Sequence, residues 1–171
     1  MTEPAAYDLL RSAVRSAVHL EMRDGYAPND ADWLAWQGGD HFDPRTRQGW
    51  RTWFELMQAA AGRGVGARRA RIVSEPVTDY IKYEHDVTAA YNLASGEQVR
   101  WLPRQQTAGL LVPPSDFWVF DERVVVWNHF AGDGSWVTEE VSEDPALAKL
   151  CVSSFDAVWE RGIPHRQYRP A

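Results

Sequence analysis

The stretch Pro113-Pro-Ser-Asp-Phe-Trp-Val-Phe-Asp-Glu-Arg-Val-Val-Val-Trp-Asn-His-Phe130 carries the densest run of β-branched and aromatic residues in the chain. Such side chains suit a pleated, buried surface, so the stretch reads as the centre of a sheet. The polar triplet Asp121-Glu122-Arg123 divides it into strands over 117–120 and 124–130, a spacing that fits a tight hairpin.

Outward from this hairpin, hydrophobic periodicity supplies the remaining elements. Towards the N-terminus, residues 5–17 repeat apolar side chains at helical spacing, and from Val18 the period becomes two. Val18, Leu20 and Met22 then alternate with His19, Glu21 and Arg23, a strand with one apolar and one polar face. A short helix over 30–37 follows, then a longer one from Asp43-Pro44 whose Trp50, Trp53, Phe54, Met57, Ala60 and Ala61 share one face. Gly62-Arg-Gly-Val-Gly66 stops it, and residues 67–74 form a second strand expected beside the first, with Arg69 and Arg71 on one face. A helix over 78–94 places Glu84 within its apolar stripe, where a carboxylate needs a partner.

A third strand over 98–102 leads to the hairpin, and a further strand over 136–141 follows it. Asp144-Pro145 opens the last helix, and the basic, aromatic tail from 164 is expected to be loosely held. The order of elements predicts an α/β domain, a mixed sheet flanked by helices on both faces, spanning residues 1–171 without repeats or linkers.

Bulk properties narrow the function. A net charge of −6 works against nonspecific binding to nucleic acid or an anionic membrane, although four arginines between Arg63 and Arg71 leave room for a small anionic ligand. No apolar run spans a bilayer and the first residues lack a signal peptide's pattern, so a cytoplasmic location is expected. The single cysteine, Cys151, reads as a buried, inert thiol, and the five histidines show no metal-ligand spacing. The compact group His41, Asp40 and Asp43 sits in a glycine-rich loop and reads as solvent-exposed. No metal or cofactor is expected. The glycines at 62–66 run from helix to strand, the reverse of a phosphate-cradling loop.

The polar faces converge if the first two strands are neighbours. Glu21, Arg23, Arg69, Arg71, Glu84 and Asp116 are the candidate ligand-binding residues, and no catalytic residue is assigned. Their cluster is either an anion-binding or pKa-shifting site, or a structural ion-pair network.

The blocks Leu20-Glu-Met-Arg-Asp-Gly-Tyr26, Arg69-Ala-Arg-Ile-Val-Ser-Glu-Pro-Val-Thr-Asp-Tyr80 and Asp116-Phe-Trp-Val-Phe-Asp121 resemble the actinobacterial family catalogued as domain of unknown function 6879. The resemblance implies a small cytoplasmic protein often encoded near helix-turn-helix regulators, and hence a helix-turn-helix regulator as a protein partner. The C-terminal third, from Phe117-Trp-Val-Phe-Asp through Ser154-Phe-Asp-Ala-Val-Trp159, is distantly similar to the last part of a phospholipase D-like domain. That likeness implies a His-x-Lys-x-x-x-x-Asp motif. With Asp121 at the aspartate, the nucleophile position is Pro114 and the phosphate-binding lysine position is Asp116, so phosphodiester chemistry is lost. The related fold also implies a homodimer. Two functions follow as expectations: a non-catalytic regulatory or binding protein, and alternatively an enzyme acting on a small molecule or phosphoester through the Glu/Arg site.

Overall fold

The computed structural model describes residues 3–171. Helix α1 (Ala5–Ser12) leads to strand β1 (Ser16–Glu21), followed by helices α2 (Ala31–Gln37) and α3 (Gln48–Gly62) and strand β2 (Gly66–Val73). Helix α4 (Asp79–Thr88) precedes β3 (Gln98–Pro103), the hairpin β4 (Asp116–Phe120) and β5 (Val124–Phe130), and β6 (Trp136–Ser142). Helix α5 (Pro145–Arg161) and a short strand β7 (Ile163–Pro164) close the chain.

The strands form one mixed sheet in the order β6-β5-β4-β1-β2-β3-β7. β1, β2 and β3 are parallel, whereas β4 pairs antiparallel with β1 and β5 with β4. The centre is therefore β1, where the parallel and antiparallel halves meet, and the hairpin expected at the centre lies to one side. All five residues of β4 are nevertheless buried, because helices cover both faces of the sheet.

Strand alternation sorts the chain into two layers. Val18, Leu20, Ala70, Ile72, Phe117 and Val119 point to α5 and meet Cys151, Phe155 and Val158. On the other face, Ala17, Ala67, Trp118 and Phe120 pack under Leu10 of α1 and Met57 and Ala60 of α3. Cys151 is fully buried, and burial pushes its thiol up to about 11.

Capping residues fix the helix starts. The carboxylates of Asp30 and Asp144 accept amides at the starts of α2 and α5, and the Thr78 hydroxyl accepts the Ile81 amide in α4. Asp43-Pro44 opens only a 3-10 turn (Pro44–Thr46), and α3 begins at Gln48. The helix expected over 78–94 widens after Thr88 into a π-helical turn (Ala89–Leu93). Thr88 donates its hydroxyl to the Glu84 carbonyl and accepts from Arg71, so a local side-chain contact accompanies the change of pitch.

Helix α1 ends at Ser12, five residues before its predicted limit, because Asp121 captures the following backbone. Its carboxylate accepts the amides of Val14, Arg15 and Ser16 at 2.7 to 3.2 Å, drawing them into extended structure. Asp121 and Glu122 have φ of 51° and 59°, and the Arg123 amide donates to the Phe120 carbonyl, the geometry of a tight hairpin turn.

The tail expected to be loose is held down. Tyr168 is buried and stacks on Trp101 with ring centroids 5.4 Å apart, and its hydroxyl donates to Glu75. The Trp101 indole N–H donates to His165 Nδ1, and the Val77 amide donates to the Ala171 carbonyl. These side chains cover the apolar edge made by Val73, Val99 and Ile81. Among the described residues no helix is long and apolar enough to cross a membrane.

Candidate functional site

The parallel register of β1 and β2 sets His19 beside Arg69 and Glu21 beside Arg71. Alternation turns all four away from α5, and α3 and α4 cover them. A polar strand face has thus become an interior surface, and every charge on it needs a partner.

Glu21 is the hub. One of its carboxylate oxygens accepts from Arg69 Nη1 and the other from Arg71 Nε at 2.5 Å. Arg69 Nε also donates to Glu97 at 2.9 Å, while Arg71 Nη1 donates to Thr88 Oγ1 at 2.8 Å. Asn92, on the π-helical turn, donates to the second oxygen of Glu97. Burial opposes the charge on Glu21, yet the two guanidiniums hold its carboxyl well below the usual carboxylate range. Burial and Arg69 push His19 well below its ordinary value, so it is neutral, and its ring stacks on Trp118 at 4.0 Å.

Glu84 stands apart within this group. It is 8% exposed, its nearest guanidinium nitrogen is Arg71 Nη2 at 3.5 Å, and its carboxylate makes no hydrogen bond among the described residues. Burial outweighs Arg71 and raises its carboxyl to about 7.

Asp116 belongs to an adjoining arrangement. It accepts from the Met22 amide at 2.9 Å and from the Tyr26 hydroxyl, and burial raises it to about 6. Arg23 lies outside the cluster: β1 ends at Glu21, and Arg23 donates to the Ala131 carbonyl and lies over the Phe130 ring. It lines a separate crevice with Asp24 and Arg104.

The arginines between 63 and 71 also separate. Arg63 donates to carbonyls of α1 and its following turn, Arg68 lies over Phe155 and Trp159, and only Arg69 and Arg71 meet. In the glycine-rich loop at 38–43, Arg47 engages Asp40 and Arg45 engages Asp43. Among the described residues no three His, Cys, Asp or Glu side chains are grouped as metal ligands.

A cavity of about 250 Å³ lies over the charged surface. Glu21, Arg69 and Arg71 form its floor, α3 contributes Trp50 and Trp53, and α4 with its π turn contributes Tyr80, Tyr83, Glu84 and Tyr91. Periodicity located these aromatics but not the space they enclose. Nothing in the local sequence pattern marks Glu97, Thr88 and Asn92 as members of the site, yet all three are buried within it. Glu97 follows Ser95-Gly96, a plain helix stop in sequence, yet the φ of 97° at Gly96 accompanies the turn that brings Glu97 inside.

Comparison with solved structures identifies the architecture. Nuc from Salmonella typhimurium, a phospholipase D family member, aligns with a TM-score of 0.53 and 14% identity over 95% of this chain and 88% of its own. TrmBL2, an archaeal chromatin protein described as showing a novel mode of DNA binding, aligns with a TM-score of 0.51 and 14% identity over 92% of this chain and 48% of its own. At such identities the likeness is one of fold, a distant phospholipase D-like α/β sheet. No curated protein matches the sequence. At the sequence level, the model of the family described as Domain of unknown function (DUF6879) matches residues 4–170, nearly the whole chain, and the protein belongs to that family.

Proposed function

We propose that this protein is a non-catalytic binding protein of the cytoplasm, which takes a small molecule into the cavity over β1 and β2 and acts in regulation through a protein partner. The cavity carries the reading: a built space of about 250 Å³ with an ionised floor and an aromatic wall. That volume lies below the ~300–1,000 Å³ of pockets for drug-sized ligands, so it suits a compact molecule. Support against phosphodiester chemistry comes from Pro114, which has no nucleophilic atom, and from Asp121, whose carboxylate is occupied by three backbone amides. A helix-turn-helix regulator as partner accords with the family resemblance. TrmBL2, in which a related fold is part of a DNA-binding protein, offers a parallel.

An enzyme is the second reading. Glu84 and Asp116, both raised towards neutrality beside a strongly acidic Glu21, have the divergent acidities that acid and base partners require. A thermal-shift screen of compounds grouped by charge separates the readings when run beside Val87→Trp, which fills the cavity. Stabilisation by one class of compound, lost in that variant and without turnover, is expected. Absence of any shift would overturn the binding reading, and turnover abolished by Glu84→Gln would replace it with the enzyme.

A further inference from the structure

We infer that the cavity takes a small organic cation, a protonated or quaternary amine, held between Glu84 and the aromatic wall of Trp50, Trp53, Tyr80 and Tyr91. This assignment rests on the binding reading above and specifies its ligand class.

The first argument is a charge balance. Glu21, Glu84 and Glu97 share two guanidiniums, those of Arg69 and Arg71. Glu21 and Glu97 have direct hydrogen bonds from the arginines, and Asp116 is bound by Tyr26 and the Met22 amide. Glu84 alone lacks a hydrogen-bonded partner among the described residues while lying on the cavity lining. The Nε and Nη1 donors of both arginines are engaged by neighbours, and Arg71 Nη2 faces Glu84 at 3.5 Å, so an anion there would compete with Glu84 for it. A cation supplies a counter-charge for Glu84, whereas an anion would be repelled by its carboxylate.

The second argument concerns the rings. Aromatic faces attract cations, most strongly where water is excluded. The internal guanidiniums use other rings: Arg69 lies over Trp118 at 5.2 Å and Arg71 over Trp101 at 4.9 Å. Trp50, Trp53, Tyr80 and Tyr91 line the cavity with no protein cation over them among the described residues. Tyr83, 3% exposed, also contributes to this lining.

Proton linkage gives the assignment a signature. In the empty cavity burial raises the Glu84 carboxyl to about 7, and a bound cation favours its ionised form. Binding below that pH therefore releases a proton, and affinity falls as pH drops through about 7, with a limit near tenfold per pH unit for one proton. The groups facing Glu84 are Arg71, Arg69, Glu21 and Asp116. The arginines stay charged and Glu21 stays ionised across this range, while Asp116, raised to about 6, adds to the same trend at its lower end.

The test is calorimetric titration of the full chain with choline, with its neutral isostere 3,3-dimethylbutan-1-ol, and with inorganic phosphate, between pH 6 and 8. Choline is expected to bind at least about tenfold more tightly than the isostere, a difference of about 1.4 kcal/mol. Glu84→Gln should weaken choline by a similar factor and flatten the pH profile, and Tyr80→Leu should weaken it without flattening the profile. Equal binding of the isostere, preferential binding of phosphate, or unchanged choline affinity in Glu84→Gln overturns the assignment. If Glu84→Gln does not fold, a pH-independent choline affinity in the unaltered chain overturns it equally. A neutral or anionic compound that binds and is excluded by Val87→Trp removes the cation but keeps the binding reading. Absence of binding by every probe removes the cation assignment, and an empty thermal-shift screen removes the binding reading as well.

Discussion

The two faces of β1 and β2 are built from alternate residues of the same strands, yet they solve opposite problems. Towards α5, Val18, Leu20, Ala70 and Ile72 meet Cys151, Phe155 and Val158 in an apolar layer, with Arg68 and Arg100 lying over the rings of Phe155 and Trp159. Towards α3 and α4, Glu21, Arg69 and Arg71 are also buried but depend on hydrogen-bonded partners. The apolar face requires only volume and shape. The charged face requires specific pairs, which stabilise little relative to a hydrophobic layer but are costly to break.

Substitutions of similar size on the two faces give the largest expected contrast. Arg71→Met removes one partner of Glu21 and Glu84 and should cost about 3–5 kcal/mol. Leu20→Met, on the neighbouring strand one position out of register with Arg71 and on the opposite face, should cost less than about 1.5 kcal/mol. Urea denaturation of both variants measures the difference, and equal costs would dissolve the distinction between the faces.

Glu84→Gln carries the next effect, with a sign set by pH. The folded-state carboxyl is raised to about 7 from an ordinary 4.5, so the native state holds the proton more tightly than the unfolded chain. Below pH 4.5 the group is protonated in both states and costs nothing; as pH rises from 4.5 to about 7 stability is lost, and the loss is complete above that. Removing the charge should therefore stabilise the protein at pH 8 by about 1–3 kcal/mol and have little effect near pH 4.5, as read from paired denaturation curves. Glu21 behaves oppositely: its depressed carboxyl contributes stability above the ordinary carboxylate range, lost as pH falls through its lowered value. Arg23→Ala, outside the cluster and bound to one backbone carbonyl, is the smallest case, with an expected loss below about 1.5 kcal/mol.

The hairpin at Asp121, the strand alternation around His19 and Glu21 and the helical stripe interrupted by Glu84 were legible because each is a local period. What local periods do not encode is pairing. The position of β1 at the junction of parallel and antiparallel halves depends on the whole strand order, which the aromatic density of the hairpin does not reveal. Arg23 continued the two-residue period of β1 in sequence, but the strand ends at Glu21 and the period ends with it. Asp116 was brought near the cluster by its place beside β1, although Tyr26 rather than an arginine satisfies it. Glu97 was hidden because its partner Arg69 is 28 residues away, and the tail because its anchors Trp101 and Glu75 lie still further back.

The most direct measurement is a carboxyl ¹³C NMR titration of Glu84 and Glu21 in the same sample, assigned with Glu84→Gln. Glu84 should titrate near 7, while Glu21 stays ionised to well below the ordinary carboxylate range. Two glutamates titrating together near ~4.3 would mean that the charged face is an ordinary solvated surface and would contradict the site described above.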